Sequence, residues 1–343
     1  MLLLLAFFKI MRALLFRLGL AFTACCCFSL PHSVCQAVTA IPKTTSPQVI
    51  GWVPAYGIET SMRALESNPE IAKGLTRIGL QLWNPSADGK SLVFAPINEQ
   101  GTLVTDEQVR SLVAWAKQHK IQVLLTVYNN SQVMKKWDWA LASNAFAKQH
   151  RAFSYALLKE MQKYNLDGID LDLEGEGMLD QDRPAYARFV AMLSKSLKKR
   201  GKLLTVDSFH SPCTNAPNMS WWADWRGHVD AIHSMGYQDL YEGSTASFTP
   251  EGGAVCENGA AMFKYSWQLQ YGIKAGYRVD QIVVGMPTWL DQWGEGGLGS
   301  SVLNHVQEAK QLGLGVALWD LQLEGKAWRQ SETWRAIREL WNK

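Results

Sequence analysis

The chain has 343 residues, 47% of them hydrophobic, with 34 Lys and Arg against 31 Asp and Glu. That length can bury a large core as one α/β barrel. The near-balance of charge, without a basic block, excludes a nucleic-acid surface built on phosphate neutralisation.

Residues 1–37 carry Lys9, Arg12, Arg17 and no acid, then an apolar run over 18–30 and Val34-Cys35-Gln36-Ala37. This predicts a secretory signal peptide cleaved after Ala37, with Met11 as an alternative start. A retained anchor is the competing reading, and the run is short for a span. A lipoprotein signal ending at Cys25 fits less well, because Phe22 stands where an aliphatic residue is usual. Removing 1–37 takes away the basic excess and leaves two cysteines, Cys213 and Cys256. Both fall in loops after neighbouring strands, so a secreted or periplasmic chain is expected to join them in a disulfide; two free buried thiols is the alternative.

Residues 38–48, rich in Thr, Pro and Ser, read as a linker, and 49–343 as one domain. Residues 49–54 predict a first strand. A helix over 61–74 stops at Gly74, and 75–83 is a second strand. A turn at 84–89 leads to an extra strand at 90–94. Thr105 with Gln108 predicts a capped helix over 109–119. Strand three covers 121–128, a long helix 145–164, and the acidic strand around Asp170 is the fourth. Helix 185–199 closes on basic residues and Gly201. Strands five and six cover 202–209 and 229–237, and a helix fills 257–276. Strand seven at 281–287, a helix at 302–312, strand eight at 315–321 and a last helix at 331–341 complete the chain. Eight strands alternating with helices predict a (β/α)8 TIM barrel with no large inserted domain. Gly294-Glu295-Gly296-Gly297-Leu298-Gly299 matches GxGxxG, but it lies late and joins no strand directly to a helix, so it reads as a βα loop.

The stretch that carries chemistry is Asp167-Gly168-Ile169-Asp170-Leu171-Asp172-Leu173-Glu174. Strand alternation puts Asp170, Asp172 and Glu174 on one face. Acids packed so closely resist ionising together, so their pKa values separate and one carboxyl keeps its proton near neutral pH. A proton donor beside a lasting anion is what glycosidic cleavage requires.

Asp167-x-x-Asp170-x-Asp172-x-Glu174 resembles the DxxDxDxE signature of glycoside hydrolase family 18, the chitinases and related β-N-acetylglucosaminidases, and strand-like segments extend the likeness over residues 49–342. The resemblance implies Glu174 as general acid and later base. Asp172 would orient an oxazolinium-like intermediate formed by the substrate's own acetamido group, and Asp170 would tune Asp172. Asp167 and Gly168 read as structural. Met235-Gly236-Tyr237-Gln238-Asp239 resembles the family's MxYD segment, with Gln238 where Asp is common. Tyr237 would donate to the acetamido group, Met235 would line the pocket, and Gln238 or Asp239 would supply the polar contact. Trp319 matches the tryptophan under the cleaved sugar, as aromatic platforms suit sugar C–H faces. Trp52, Trp83, Trp221, Trp222, Trp225, Trp289 and Trp293 are core or cleft on equal terms. Strand three ends in Tyr128-Asn129 rather than the chitinase Ser-x-Gly-Gly, which looks like the branch directed at peptidoglycan and spore cortex. Trp52, Tyr128 and Asn129, near strand ends, join the expected substrate contacts. His210, near Asp207, either lines the cleft or buttresses a loop.

The expected function is retaining hydrolysis of β-1,4-linked N-acetylglucosamine glycans, chitin or its oligosaccharides, in a shallow open groove. A cell-wall N-acetylglucosaminidase and a non-catalytic glycan-binding lectin are the alternatives; the intact Glu174 argues against the lectin. The partner implied is an N-acetylglucosamine polymer, with no stable protein partner. No cofactor is implied: the histidines show no zinc spacing and there is no GxSxG elbow.

Overall fold

The computed structural model describes residues 47–94, 104–131, 136–210, 212, 215–237, 265–288 and 298–340. The expected signal peptide, most of the expected linker, Cys213, Cys256, Gln238, Asp239, Trp289 and Trp293 lie outside the described residues.

Eight parallel strands close into a barrel. In chain order they are β1 (Val49–Pro54), β2 (Arg77–Pro85), β3 (Gln122–Tyr128), β4 (Gly168–Asp172), β5 (Leu203–Phe209), β6 (Ala231–Met235), β7 (Ile282–Pro287) and β8 (Gly315–Trp319). Each pairs with the next, and β1 pairs with both β2 and β8, which closes the ring. The extra strand, Leu92–Phe94, runs antiparallel to the end of β2. Asn130–Ser131 and Lys136–Trp137 form a small antiparallel ladder after β3 that the sequence reading lacks.

The strands read as apolar runs because both faces are covered. One set of side chains meets the helices in the large outer core. The other set, Ile50, Trp52, Leu124, Ala231, Val283 and Ala317, fills the barrel interior. The outer layer is supplied by helices α1 (Ile58–Ser67), α2 (Pro69–Gly74), α3 (Asp106–Gln118), α4 (Trp139–Ser143), α5 (His150–Lys163), α6 (Arg183–Lys198), α7 (Tyr265–Lys274), α8 (Leu298–Leu312) and α9 (Ser331–Arg338). Thr105 caps α3 in the expected box: its hydroxyl accepts from Gln108 N, and the Gln108 side chain reaches back to Thr105 N.

Two helices differ from expectation. The single helix over 61–74 is two, because Asn68 leaves the helical conformation, caps Glu70 N at 3.0 Å and is followed by Pro69. The long helix over 145–164 starts with a wider π turn, Asn144–Lys148, before α5. Trp221, Trp222 and Trp225 sit on a 3-10 turn, Met219–Trp225, and belong to the core: none is exposed. Trp83 is buried as well, against Phe94 and Tyr164. Leu298 and Gly299, expected in a loop, begin α8.

Candidate active site

The inward residues of β4 are Gly168, Asp170 and Asp172, and Glu174 follows two residues beyond the strand. Gly168 is required by closeness: a Cβ there would lie 2.5 Å from the Leu203 carbonyl of β5. Asp167, of opposite parity, accepts from Val123 N at 2.9 Å and so pins the start of β4 to β3.

Asp170 is wholly buried and surrounded by donors. Trp52 Nε1 lies 2.9 Å and Thr126 Oγ1 3.0 Å from its Oδ2. Thr205 Oγ1 donates to Oδ1, and His233 Nδ1 stands 3.3 Å from the same oxygen. Burial works against its charge, but His233, Thr205 and Trp52 prevail and hold it below the usual carboxylate range.

Asp172 accepts from Gln81 Nε2 at 2.6 Å. Burial pushes it up to about 7, with Gln81 opposing the rise and the Asp170 charge adding to it. Glu174 is raised well above the usual range, first by burial and then by Asp172. Its backbone is clamped: Asn129 Nδ2 donates to Glu174 O and Glu174 N donates to Asn129 Oδ1, each at 2.7 Å. Asp207, on β5, is raised by burial and then by Asp170, Asp172 and Glu174. Asp170 is thus a fixed anion, and the three acids around it resist ionising together.

A cleft of about 430 Å³ opens above these groups, lined by Trp137, Asp172, Glu174, Asp207, Phe209, His210, Asn215, Met235, Tyr237 and Trp319. The ring centres of Tyr237 and Trp319 are 6.4 Å apart, and Trp52 stands 6.0 Å from Trp319. His210 both lines the cleft and buttresses it, its Nδ1 bonding Met235 O at 2.7 Å.

Of the residues singled out in the sequence, Asp172, Glu174, Met235, Tyr237 and Trp319 meet in this cleft. Asp170 lies beneath it. Three expected substrate contacts sit elsewhere. Trp52 is 1% exposed and gives its N–H to Asp170. Asn129 holds the Glu174 backbone. Tyr128 is buried edge-on to Trp137, with its hydroxyl pushed up to about 12 by burial. Conversely, Gln81, Trp137, Phe209, Asn215 and His233 escape the sequence reading, and Asp207 enters it merely as a neighbour of His210. Strand alternation is the available signal for Asp207 and His233, which share the inward parity of Thr205 and Ala231 and pair across β5 and β6.

Among the described residues, Asp170, Asp207 and His233 form the one group close enough to resemble a metal-ligand set. Their facing atoms bond one another, and Asp170 is further occupied by Thr126, Thr205 and Trp52, so hydrogen bonding accounts for the cluster.

The family model described as Glycosyl hydrolases family 18 matches residues 84–334. The uncharacterized glycosylase YvbX of Bacillus subtilis (strain 168) is 23% identical over 219 residues, 62% of this chain, and the chain spans 60% of that relative's length. Many solved structures share the fold, among them the following three. The chitinase from Chromobacterium violaceum ATCC 12472 aligns with a TM-score of 0.61 at 15% identity, over 87% of this chain and 100% of its own. The Ostrinia furnacalis group IV chitinase gives 0.63 at 14%, over 87% and 100%. The Bacillus cereus spore cortex-lytic enzyme SleL gives 0.60 at 16%, over 85% and 73%.

Proposed function

Since the chain belongs to glycosyl hydrolase family 18 and is a glycoside hydrolase, we propose that it cleaves β-1,4-linked N-acetylglucosamine glycans with retention of configuration, using the substrate's acetamido group as nucleophile. The observation that carries this reading is the unlike state of adjacent carboxyls: Asp170 held as an anion, Asp172 and Glu174 held towards their protonated forms.

Glu174 gives its proton to the glycosidic oxygen as the bond to the leaving sugar breaks. The acetamido oxygen attacks the anomeric carbon from the other face and forms an oxazolinium ion. Asp172, as carboxylate, accepts the acetamido N–H and offsets the positive charge; the Tyr237 hydroxyl donates to the acetamido oxygen. Trp319 borders the same cleft and offers its ring to the sugar's apolar face. Water then opens the oxazolinium ring, returning a proton to Glu174. Asp172 and Asp207 border the cleft yet are each only 2% exposed, which keeps the electrostatics strong where charge develops.

A second reading concerns the polymer. The Tyr128-Asn129 ending of strand three resembles the cell-wall-directed branch of the family, which makes a cell-wall glycan containing N-acetylglucosamine the alternative. Purified chain incubated with chitin oligomers and with peptidoglycan separates the two. Proton NMR of the first product is expected to show the β-anomer, and inversion would end the proposal. Glu174→Gln is expected to lower kcat by about 10²–10⁴-fold with the fold retained. Absence of wild-type turnover on every acetylated glycan would instead favour a lectin.

A further inference from the structure

The acid motif contains Asp170, and proton sharing would ordinarily be sought between it and Asp172. The geometry here opposes that. Both Asp170 oxygens are filled: Oδ1 by Thr205 and His233, Oδ2 by Trp52 and Thr126. A carboxylate has about four lone-pair sites. Trp52, Thr126 and Thr205 donate to three of them, and the His233 N–H, directed at Asp207, stands beside the fourth at 3.3 Å, so a proton on Asp170 would have to enter against it.

Asp207 has the opening that Asp170 lacks. It comes from β5 and stands opposite His233 of β6 in the strand register. His233 is wholly buried, with Nδ1 at 2.6 Å from Asp207 Oδ1. Facing two carboxyl oxygens, that nitrogen carries the hydrogen. Asp207 also borders the cleft beside Asp172 and Glu174; its carboxyl interacts with those of Asp172 and Asp170, and Asp172 interacts in turn with Glu174. Its carboxyl therefore links His233 below to Asp172 beside it. Two touching carboxyls hold one proton between them, because a second ionisation would set like charges in contact.

We propose that Asp207, held by His233, is the positioning residue that takes the shared proton from Asp172. When a glycan binds, the O–H bond on Asp172 breaks and one forms on Asp207. Asp172 becomes the carboxylate facing the acetamido group, and Asp207 becomes the neutral acid donating back to it. Net charge in the cluster is unchanged, His233 keeps its N–H bond, and the proton returns when the oxazolinium ring opens. The kinetic part of this inference rests on the hydrolase reading above; the titration part does not.

The groups facing Asp207 are Asp170, Asp172 and Glu174 from β4 and its following turn, His233 from β6, Tyr237 just beyond it, and Tyr186 from α6. Arg77, on β2, acts on Asp170 from further below.

Carbon-13 carboxyl NMR of aspartate-labelled wild-type protein tests the assignment without substrate. Asp172 and Asp207 are expected to titrate together, each resonance moving at both steps, while Asp170 stays at its anionic shift from about pH 4 to about pH 9. Proton uptake by Asp170 in that range, or independent titration of Asp172 and Asp207, overturns the proposal. In Asp207→Asn the amide oxygen still accepts from His233 and its N–H donates to Asp172. The acid limb of kcat/KM on 4-nitrophenyl chitobioside, and the Asp172 resonance, are then expected about one pH unit lower than in wild type. A folded variant with both unmoved sinks the idea. If wild type does not turn over this substrate, that result falls on the hydrolase reading, and the wild-type titration still decides this one.

Discussion

At the scale of single residues, the site consists of carboxyls that share a strand face but not a charge state. Asp172 illustrates the cost. Its value rises from 3.8 to about 7 on folding, mainly through burial. Folding therefore disfavours its charged form. The penalty is absent below about pH 4, grows as the pH climbs, and is complete above about pH 7, where it amounts to a few kcal/mol. Asp172→Asn removes the penalty and keeps an oxygen for Gln81. The variant is expected to melt several degrees above wild type at about pH 7 and level with it at about pH 4, by differential scanning calorimetry. Its kcat is expected to fall by about 10²–10³-fold, because the oxazolinium ion loses its anion. Equal melting at both pH values would show that Asp172 carries no such penalty.

At the scale of elements, alternation along the strands makes the central acids legible from the sequence. Parity alone sends Asp170 and Asp172 to one face, and in the barrel both point inward. It also sends Trp52 inward, but it does not say how deep an inward residue lies. Trp52 belongs to the layer below the cleft, where its N–H serves Asp170. Depth depends on strand stagger and on neighbours that are distant in the chain. The same limit hides Gln81 and His233, which come from β2 and β6 and meet β4 when the barrel closes. Asn129 stands out in the sequence for its place at a strand end, yet it serves the Glu174 backbone across the barrel rim. Gly79 of β2 shows how tightly these layers depend on each other. A Cβ there would lie 2.5 Å from Trp52 Cδ1, 2.6 Å from its Nε1 and 2.7 Å from Thr126 Oγ1. Two donors to Asp170 would have to move. Gly79→Ala is expected to cost about 1–3 kcal/mol in urea denaturation and to lower kcat more than it raises KM. An alanine variant with wild-type stability and kinetics would show that the layer yields freely.

At the scale of the whole molecule, the ring is closed by its first strand, and Gln48 ties in just ahead of it. Its carbonyl accepts from Val316 N at 2.8 Å, and its side-chain amide donates to the Asp280 carbonyl at 3.2 Å. We propose that residues 1–37 are an export signal removed after Ala37, which leaves every one of these bonds in place. Protein recovered from the periplasm or medium is expected to begin at Val38 on N-terminal sequencing and to match the full chain in melting temperature. A retained leader on the exported protein, or a lower melting temperature after its loss, would count against this. The base of the ring has its own consequence. Arg77, 7% exposed, bonds Gln122 Oε1 at 3.0 Å and the Gln48 side chain, under the apolar layer of Ile50, Leu124 and Ala317. Among the described residues, that floor closes the lower end, and the cleft opens at the upper mouth. With a saccharide in the mouth, the proton Glu174 gives up is one it held before binding, and the water that opens the oxazolinium ring restores it. Transfer of that proton to the leaving group is expected to appear as a normal solvent deuterium isotope effect on kcat, measured in light and heavy water.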